Sequence, residues 1–469
     1  IGNVFADTDG FNFELTWKLP QKLRDDLKNP KLKWIILINP PFATASAGMA
    51  RGSNKVEVAE TRVRKHMHDA NLGETSRELF AQFIYRIKKE FENRNALLGM
   101  FSTLKYVNAN NDQKLRDNVF NFQFENGFVF SSANFSGTNK NNAFPIGFLL
   151  WDLSINKKIE KQKIKLDVFD EKVVKIGTKL FQSIHKSNFL SKWVSRPPAR
   201  QKFPPLGSAI AVKSKNKDRR DRIATGFLGS LQAGRNDFQH QNYVCFLSGP
   251  EVNAGAYSII QENFEKSMVI HAAQRIPRAT WLNDRDQFMK PNRELSADFV
   301  IDCTVWNLLS NSNQTAALKD VEYEGQTYQI HNHFFPFLLK EVKTWKIADV
   351  DIKFSLLSAT DTFVARWLSA RAGKAPASRR TSVLPSVFSA EAHAVLDAAR
   401  VLYRLYFASL PRLRTGKFKI ATWDAGWWQI KQSLQDEHLG APEFAALKTA
   451  HDALKAKLLP QLSDYGIIQ

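Results

Sequence analysis

The N-terminal part of the chain alternates apolar runs with amphipathic stretches. Residues 33–38 (KWIILI) form an apolar run of strand length, typical of a parallel strand covered on both faces. Further apolar strands are predicted at 95–107 and 142–153. Helices are predicted at 20–30 from Leu23 and Leu27, at 74–92 from Leu79, Phe83 and Ile87, and at 112–120 from Leu115 and Val119. The pattern predicts an α/β fold with a largely parallel sheet that ends near residue 160.

The pattern changes after residue 160. Residues 161–208 are predicted to be a connector, because 195–208 hold four prolines. Residues 209–370 mix short apolar stretches with loops, which predicts a mixed α+β region. Residues 371–469 begin in a stretch rich in Ala, Ser and Arg, and then carry helical patterns at 389–410 and 441–459. Pro442 suits the first turn of the last helix, and Phe444, Leu447, Leu454 and Leu458 share one of its faces.

The net charge of the chain indicates which class of binding partner to expect. The 469 residues carry 66 Lys and Arg against 46 Asp and Glu, a net charge of +20. Such a balance favours a polyanionic partner; a generally basic surface without a specific partner is the alternative. No apolar run reaches the roughly 18 residues of a membrane span. Two cysteines, Cys245 and Cys303, lack a paired spacing, which predicts small buried side chains in a reducing, cytoplasmic compartment.

A stiff polar turn follows the first apolar strand. The sequence Asn39-Pro40-Pro41-Phe42 stands at the strand's carboxyl end, where open α/β sheets bind ligands. The prolines fix the backbone, so the Asn39 oxygen and a proline carbonyl can point at one amino group. Phe42 offers a flat face for a planar ring. The residues alone favour a planar-amine site and a rigid turn with a packed Phe about equally.

Asn-Pro-Pro-aromatic after an apolar strand resembles the catalytic motif of the amino-group DNA methyltransferases, which methylate adenine N6. The stretches 78–87, 98–107 and 134–153 follow in the order found in that family, and Phe135 matches the aromatic that stacks on the flipped-out base. Residues 272–288 are similar to stretches of large methylases related to type IIG restriction–modification enzymes. The methyltransferase resemblance covers roughly residues 1–160.

The resemblance implies a partial class I S-adenosylmethionine-dependent methyltransferase sheet, followed by a mixed α+β DNA-recognition region and a helical C-terminal region. Residues 1–160 would be the catalytic half. No glycine-containing cofactor motif stands before residue 39, and the chain opens with Ile1 and not Met. We therefore expect the cofactor half to lie upstream. Asp7 resembles the acidic residue that contacts the cofactor, and Asp9 is an equal candidate.

The resemblance implies that double-stranded DNA is the substrate, with the target adenine flipped out. Residues 209–370 would then read DNA, since Arg reads guanine and Lys and Arg meet phosphates. For each basic residue alone, a solvated surface position is the alternative. The candidates are Lys215, Arg219, Arg220, Arg222, Arg275, Arg278 and Arg285.

Two other function classes stay open. An RNA or protein methyltransferase can use the same turn, because other amines present a similar –NH₂. A non-catalytic DNA-binding subunit of a restriction or defence complex could keep the scaffold, which the missing cofactor motif favours. We expect no metal. His331-Asn332-His333 and Glu341-Val342-Lys343 mimic nuclease motifs by chance, and His66 and His68 are predicted to be exposed.

Overall fold

The computed structural model describes residues 20–40, 62–91, 94–134, 143–213, 220–250, 255–345, 360–372, 388–413 and 424–468. They divide into two compact units. The first lies within residues 1–188 together with 279–287, and the second within 189–278 together with 288–469. Among the described residues, no helix has both the length and the apolar character of a membrane span.

The first unit is built on a six-stranded sheet with the order β1-β2-β4-β3-β5-β6. β1 pairs with β2 and β3 with β5 in parallel, whereas the other neighbouring pairs are antiparallel. The predicted strands are confirmed, but the sheet is mixed and the expectation of a largely parallel sheet is wrong. The strands are Trp34–Ile38 (β1), Ala96–Thr103 (β2), Phe122–Ser131 (β3), Pro145–Asn156 (β4), Ile164–Phe169 (β5) and Lys175–Phe181 (β6).

β5 and β6 correct the expected organisation. They lie within residues 161–208, which were expected to be a connector, and they extend the first sheet. β5 alternates buried and more exposed positions over only six residues, and the neighbouring lysines hide this short pattern in the sequence. The first unit therefore continues past residue 160.

The helices of the first unit pack on one face of the sheet, which we call the inner face. Their buried side chains share a core with inner-face residues such as Leu98, Leu149 and Trp151. The predicted helices at 20–30, 74–92 and 112–120 are confirmed. On the second of them Phe80 and Ile84 are buried with Ile87, whereas the predicted Leu79 and Phe83 are only half-buried. The helices are Gln21–Lys28 (α1), Arg62–Asp69 (α2), Leu79–Phe91 (α3), Lys105–Asn108 (α4) and Gln113–Asn118 (α5).

The opposite face of this sheet, the outer face, is apolar and partly exposed. Ile35 and Leu37 of β1 are 69% and 68% exposed. The half-buried rings of Phe101, Phe128 and Phe148 contact one another at centroid distances of 4.7 to 6.2 Å. Among the described residues, these side chains belong to no buried core cluster. The expectation that β1 is covered on both faces is wrong, because the described helices of this unit pack on the inner face and Ile35 and Leu37 stay exposed.

The second unit combines a four-stranded sheet of order β11-β9-β10-β12 with a hairpin, β13–β14, and a short ribbon, β7–β8. This confirms mixed α+β structure in residues 209–370. The strands are Gln201–Lys202 (β7), Arg222–Ile223 (β8), Gly229–Gln232 (β9), Cys245–Leu247 (β10), Ala256–Ile259 (β11), Asn313–Gln314 (β12), Leu318–Tyr323 (β13) and Gln326–Ile330 (β14).

The C-terminal helices share one core with that sheet. A single buried cluster includes Phe246 of β10 and Leu447, Leu454 and Leu458 of the last helix. The predicted boundary near residue 370 therefore does not separate two cores. The predicted long helices are confirmed. The unit's helices are Phe264–Arg275 (α6), Ala297–Leu308 (α7), Leu339–Lys343 (α8), Phe363–Ala372 (α9), Ala390–Leu413 (α10), Trp427–Asp436 (α11) and Ala441–Asp464 (α12).

Candidate functional site

Asn39 stands at the carboxyl end of β1, and its side chain is exposed, while the following Pro40 is buried. β1 and β2 are parallel, and β3 runs the same way because both β2 and β3 are antiparallel to β4. The ends of β1, β2 and β3 therefore meet along one side of the sheet, which we call the carboxyl edge. Pro40 holds the residue before it in an extended conformation, so the Asn39 side chain is presented at this edge.

The loop that carries Phe135 leaves the same carboxyl edge. A short 3₁₀ turn, Ser132–Asn134, follows β3. The Ser132 amide donates to the Phe144 carbonyl at 2.9 Å, and the Phe144 amide donates to the Ser132 hydroxyl at 3.0 Å. This pair of hydrogen bonds closes the base of the loop. The structure thus brings the start of the predicted stacking loop and Asn39 to one edge.

Several predicted residues lie outside the described part of the chain. They include the second proline and both aromatic residues of the predicted base site, the predicted cofactor residue and two predicted DNA-binding residues. The roles of these residues stay predictions. These residues are Asp7, Pro41, Phe42, Phe135, Lys215 and Arg219.

A polar cavity of about 190 Å³ lies in the first unit beside the start of α4, which follows β2 at the carboxyl edge. Lys105 of α4 forms an ion pair with Glu78 at 3.8 Å. Asp112 is buried and accepts a hydrogen bond from the Thr75 hydroxyl. Burial raises the pKa of Asp112, and the Thr75 hydrogen bond and nearby Arg116 lower it. The cavity is lined by Glu74, Thr75, Arg77, Glu78, Lys105, Ala109, Asn111, Asp112 and Arg285.

Arg116 holds the wall of this cavity in place. It is fully buried and donates to the carbonyls of Tyr106 at 3.2 Å and Ala109 at 2.9 Å. Burial lowers the pKa of Arg116, and the Asp112 carboxylate raises it. The sequence does not reveal this cluster, because its members come from separated segments that meet only in the fold.

Three of the predicted DNA-binding arginines have different surroundings. Arg275 donates to the Gln241 carbonyl at 2.7 Å, and burial lowers its pKa. Arg278 is exposed in the second unit. Arg285 lies in the first unit and lines the polar cavity. Arg285 therefore belongs to a different unit from Arg275 and Arg278.

Arg220 and Arg222 are the predicted residues that the structure does bring together. Both are exposed, and both line a groove of about 260 Å³ in the second unit. A third arginine, Arg196, lines the same groove and lies over the ring of Tyr257 at 5.2 Å. Arg196 was not among the predicted basic residues, since it precedes a proline pair without any charge run.

Comparisons with known proteins do not identify a family for this chain. No family model matches the chain. No curated protein matches it. Among solved structures, the chain has a weak likeness to "cryoEM structure DrdV-DNA complex", with a TM-score of 0.28 and 13% sequence identity. The match covers 51% of this chain and 25% of that chain, and a likeness of this size carries no argument about fold or function.

The histidines lie in both exposed and buried settings. His66 and His68 are exposed on α2, as predicted. Burial lowers the pKa of His331, and it lowers the pKa of His333 to about 4. Within the described ranges, no group of three or more His, Cys, Asp or Glu side chains is placed to hold a metal ion. Cys303 is buried, whereas Cys245 is partly exposed.

Proposed function

We propose that this chain carries the catalytic half of an S-adenosylmethionine-dependent DNA adenine-N6 methyltransferase that serves restriction–modification or phage defence. One observation carries the proposal. The Asn39 side chain is exposed at the carboxyl edge, it directly follows β1, and a buried Pro40 supports it. This is the position at which open α/β sheets bind ligands, and it begins the Asn-Pro-Pro-Phe sequence.

The chain's own residues would act by positioning an amine. The Asn39 side-chain oxygen and the Pro40 carbonyl accept the two N6 hydrogens, which leaves the nitrogen lone pair free to attack. Phe42 and Phe135 would hold the flipped base between flat faces. Such oriented acceptors act mainly by fixing the reacting geometry, so neither a metal nor a covalent enzyme intermediate is required.

The described residues provide less support for a cofactor site than for an amine site. S-adenosylmethionine supplies an electrophilic methyl group when it is bound. Among the described residues, only α1 precedes β1, and no glycine-rich strand–turn–helix stands there. These residues therefore do not form a cofactor site, and Asp7 or Asp9 stays a prediction. The roles proposed for the described residues are therefore to hold the amine and the base.

The first experiment measures methyl transfer from labelled S-adenosylmethionine to unmethylated duplex DNA with the longest natural form of this chain. We expect Asn39→Ala to reduce transfer by at least about 100-fold, as for the loss of one oriented hydrogen-bonding group in an active site. Asn118→Ala is the control, because Asn118 is an exposed asparagine of α5 in the same unit. Equal transfer by the two variants would contradict the assignment of Asn39.

A non-catalytic DNA-binding subunit is the second candidate. The net charge of +20 fits a protein that binds DNA without modifying it. It predicts intact DNA binding without cofactor binding or methyl transfer in the full-length protein. Label on RNA or protein instead of DNA would move the assignment to an RNA or protein amine methyltransferase.

A further inference from the structure

Three arginines surround one groove of the second unit, which we call the arginine groove. Its wall includes Arg196, Arg220 and Arg222, together with Ser230 and Ser258. The remaining lining residues are Pro197, Ala199, Pro250, Ala256 and Tyr257. Among the described residues, no carboxylate or side-chain amide lines the groove, so the described part of its wall places positive charge beside hydroxyl groups.

The acidic residue nearest in sequence is engaged elsewhere. Asp221 lies between Arg220 and Arg222 along the chain but is buried. Its carboxylate lies 3.7 Å from the Lys202 ammonium and accepts a hydrogen bond from the Tyr323 hydroxyl at 3.1 Å. The Asp221 carboxylate therefore pairs with Lys202, which is not among the lining residues of the groove.

Two of the guanidinium groups are held by their neighbours. Arg196 lies over the buried ring of Tyr257 at 5.2 Å. Arg222 donates one N–H to the Arg200 carbonyl at 2.8 Å and is otherwise exposed. A cation that is already positioned loses less conformational entropy when it binds an anion. The groove is therefore preorganised for an oxyanion.

Hydrogen bonds join the backbone segments around the groove. The Asn263 side-chain amide donates to the Ser195 carbonyl at 3.2 Å and to the Ser258 carbonyl at 3.0 Å. This joins the segment that carries Arg196 to β11. The Ala224 amide donates to the Ser258 hydroxyl at 3.1 Å, which joins the end of β8 to the same strand. The segments that carry Arg196 and Arg222 are thus both tied to β11.

We propose that the arginine groove binds backbone phosphates of DNA. The guanidinium group matches phosphate oxygens with two parallel N–H donors. Arg and Ser can also contact base edges, but the described lining residues include none of the Asn, Gln, Asp and Glu side chains that read adenine or cytosine. A phosphate contact fixes the position of the duplex without reading its sequence. The choice of DNA as the phosphate source rests on the proposed function.

The test measures duplex binding by fluorescence anisotropy at several salt concentrations. It uses the full chain, its Arg196→Ala and Arg222→Ala variants, and two labelled duplexes of unrelated sequence. We expect each variant to weaken binding equally for both duplexes and to reduce the slope of log K against log salt by about 1. Arg293→Ala should change neither quantity. Arg293 is a matched control, since it is exposed and lies over the Tyr465 ring at 4.7 Å.

Thermal melting of every variant checks that it folds. Arg222→Lys separates the effect of charge from that of geometry, because it keeps the positive charge but loses the two parallel N–H donors. We expect this variant to retain most of the salt slope with a lower affinity. An unchanged slope in both alanine variants would overturn the proposal. Weakening with only one duplex would show base recognition instead.

Two further arms identify the phosphate source. The first arm measures RNA binding by the same variants. If the alanine variants lose RNA binding but keep DNA binding, the assignment to DNA is overturned. Tight binding of inorganic phosphate that depends on Arg196, with duplex binding unchanged, would show a site for a free anion. None of these assays requires methyl transfer. If transfer fails and the slope still changes, the proposed function is wrong and the groove assignment stands.

Discussion

At the scale of single residues, α3 buries an ion pair that responds to pH. The Arg86 guanidinium lies 2.6 Å from the Glu90 carboxylate, and both side chains are almost fully buried. Burial raises the pKa of Glu90 to about 7, while Arg86 and Arg94 act to lower it. Burial also lowers the pKa of Arg86. The folded protein therefore binds a proton at Glu90 more tightly than the unfolded chain does.

This predicts a defined pH dependence of the free energy of unfolding. Between the ordinary value of 4.5 and about 7, the folded state holds more protons at Glu90, so stability falls as pH rises, by up to about 1.4 kcal/mol per pH unit. Glu90→Gln should remove this part of the slope. Urea denaturation from pH 4.5 to 8 measures it.

The exposed Glu125 of β3 provides the control for that measurement. Glu125→Gln should leave the slope of stability against pH as it is in the parent chain. A Glu90→Gln protein with the parent's slope would show that the proton is held elsewhere.

At the scale of elements, the local patterns predicted most helices and three strands of the first unit, because each buries a face whose apolar spacing is visible along the chain. β3 was missed, since its half-buried phenylalanines lie among polar residues. β6 was missed because most of its residues are exposed. The strand directions were also decided by the fold, since β4 lies between β2 and β3 and is antiparallel to both.

Gly127 in β3 tests how tightly two of these strands approach. A Cβ at this position would lie 2.6 Å from the Phe148 carbonyl oxygen and 3.1 Å from Leu149 Cα. Backbone atoms cannot move aside easily, so we expect Gly127→Ala to destabilise the protein by about 1–3 kcal/mol. Guanidinium denaturation measures the loss.

Gly177 in β6 is the matched control for this substitution. A Cβ there would meet nothing within 4 Å. Gly177→Ala should therefore leave the free energy of unfolding nearly unchanged. A similar loss in both variants would show that the Gly127 result reflects strand propensity and not the close approach.

At the scale of the whole molecule, each unit has its own buried core. The core of the second unit includes sheet residues, α6, α7 and the C-terminal helices. A region predicted from sequence as separate, residues 371–469, is therefore part of one packed structure with residues 209–370.

Leu454→Ala tests this shared core. Leu454 is fully buried in α12, so we expect a loss of about 2–5 kcal/mol. Hydrogen exchange should accelerate in α7 as well as in α12, because both contribute to the same cluster. Leu459→Ala is the control, since Leu459 lies in the same helix and is 38% exposed. Faster exchange confined to residues 371–469 would restore the predicted boundary.

The sequence by itself determined the local features: the apolar strand β1, the Asn-Pro-Pro-Phe turn at its end, the amphipathic helices and the net charge of +20. Each of these is encoded within a short stretch, so spacing and composition reveal it. Only the tertiary structure decided which distant segments meet. The polar cavity joins residues 74–78 to 105–112 and 285, and the arginine groove joins residue 196 to 220, 222 and 257. Such meetings depend on long-range packing, which no local pattern records.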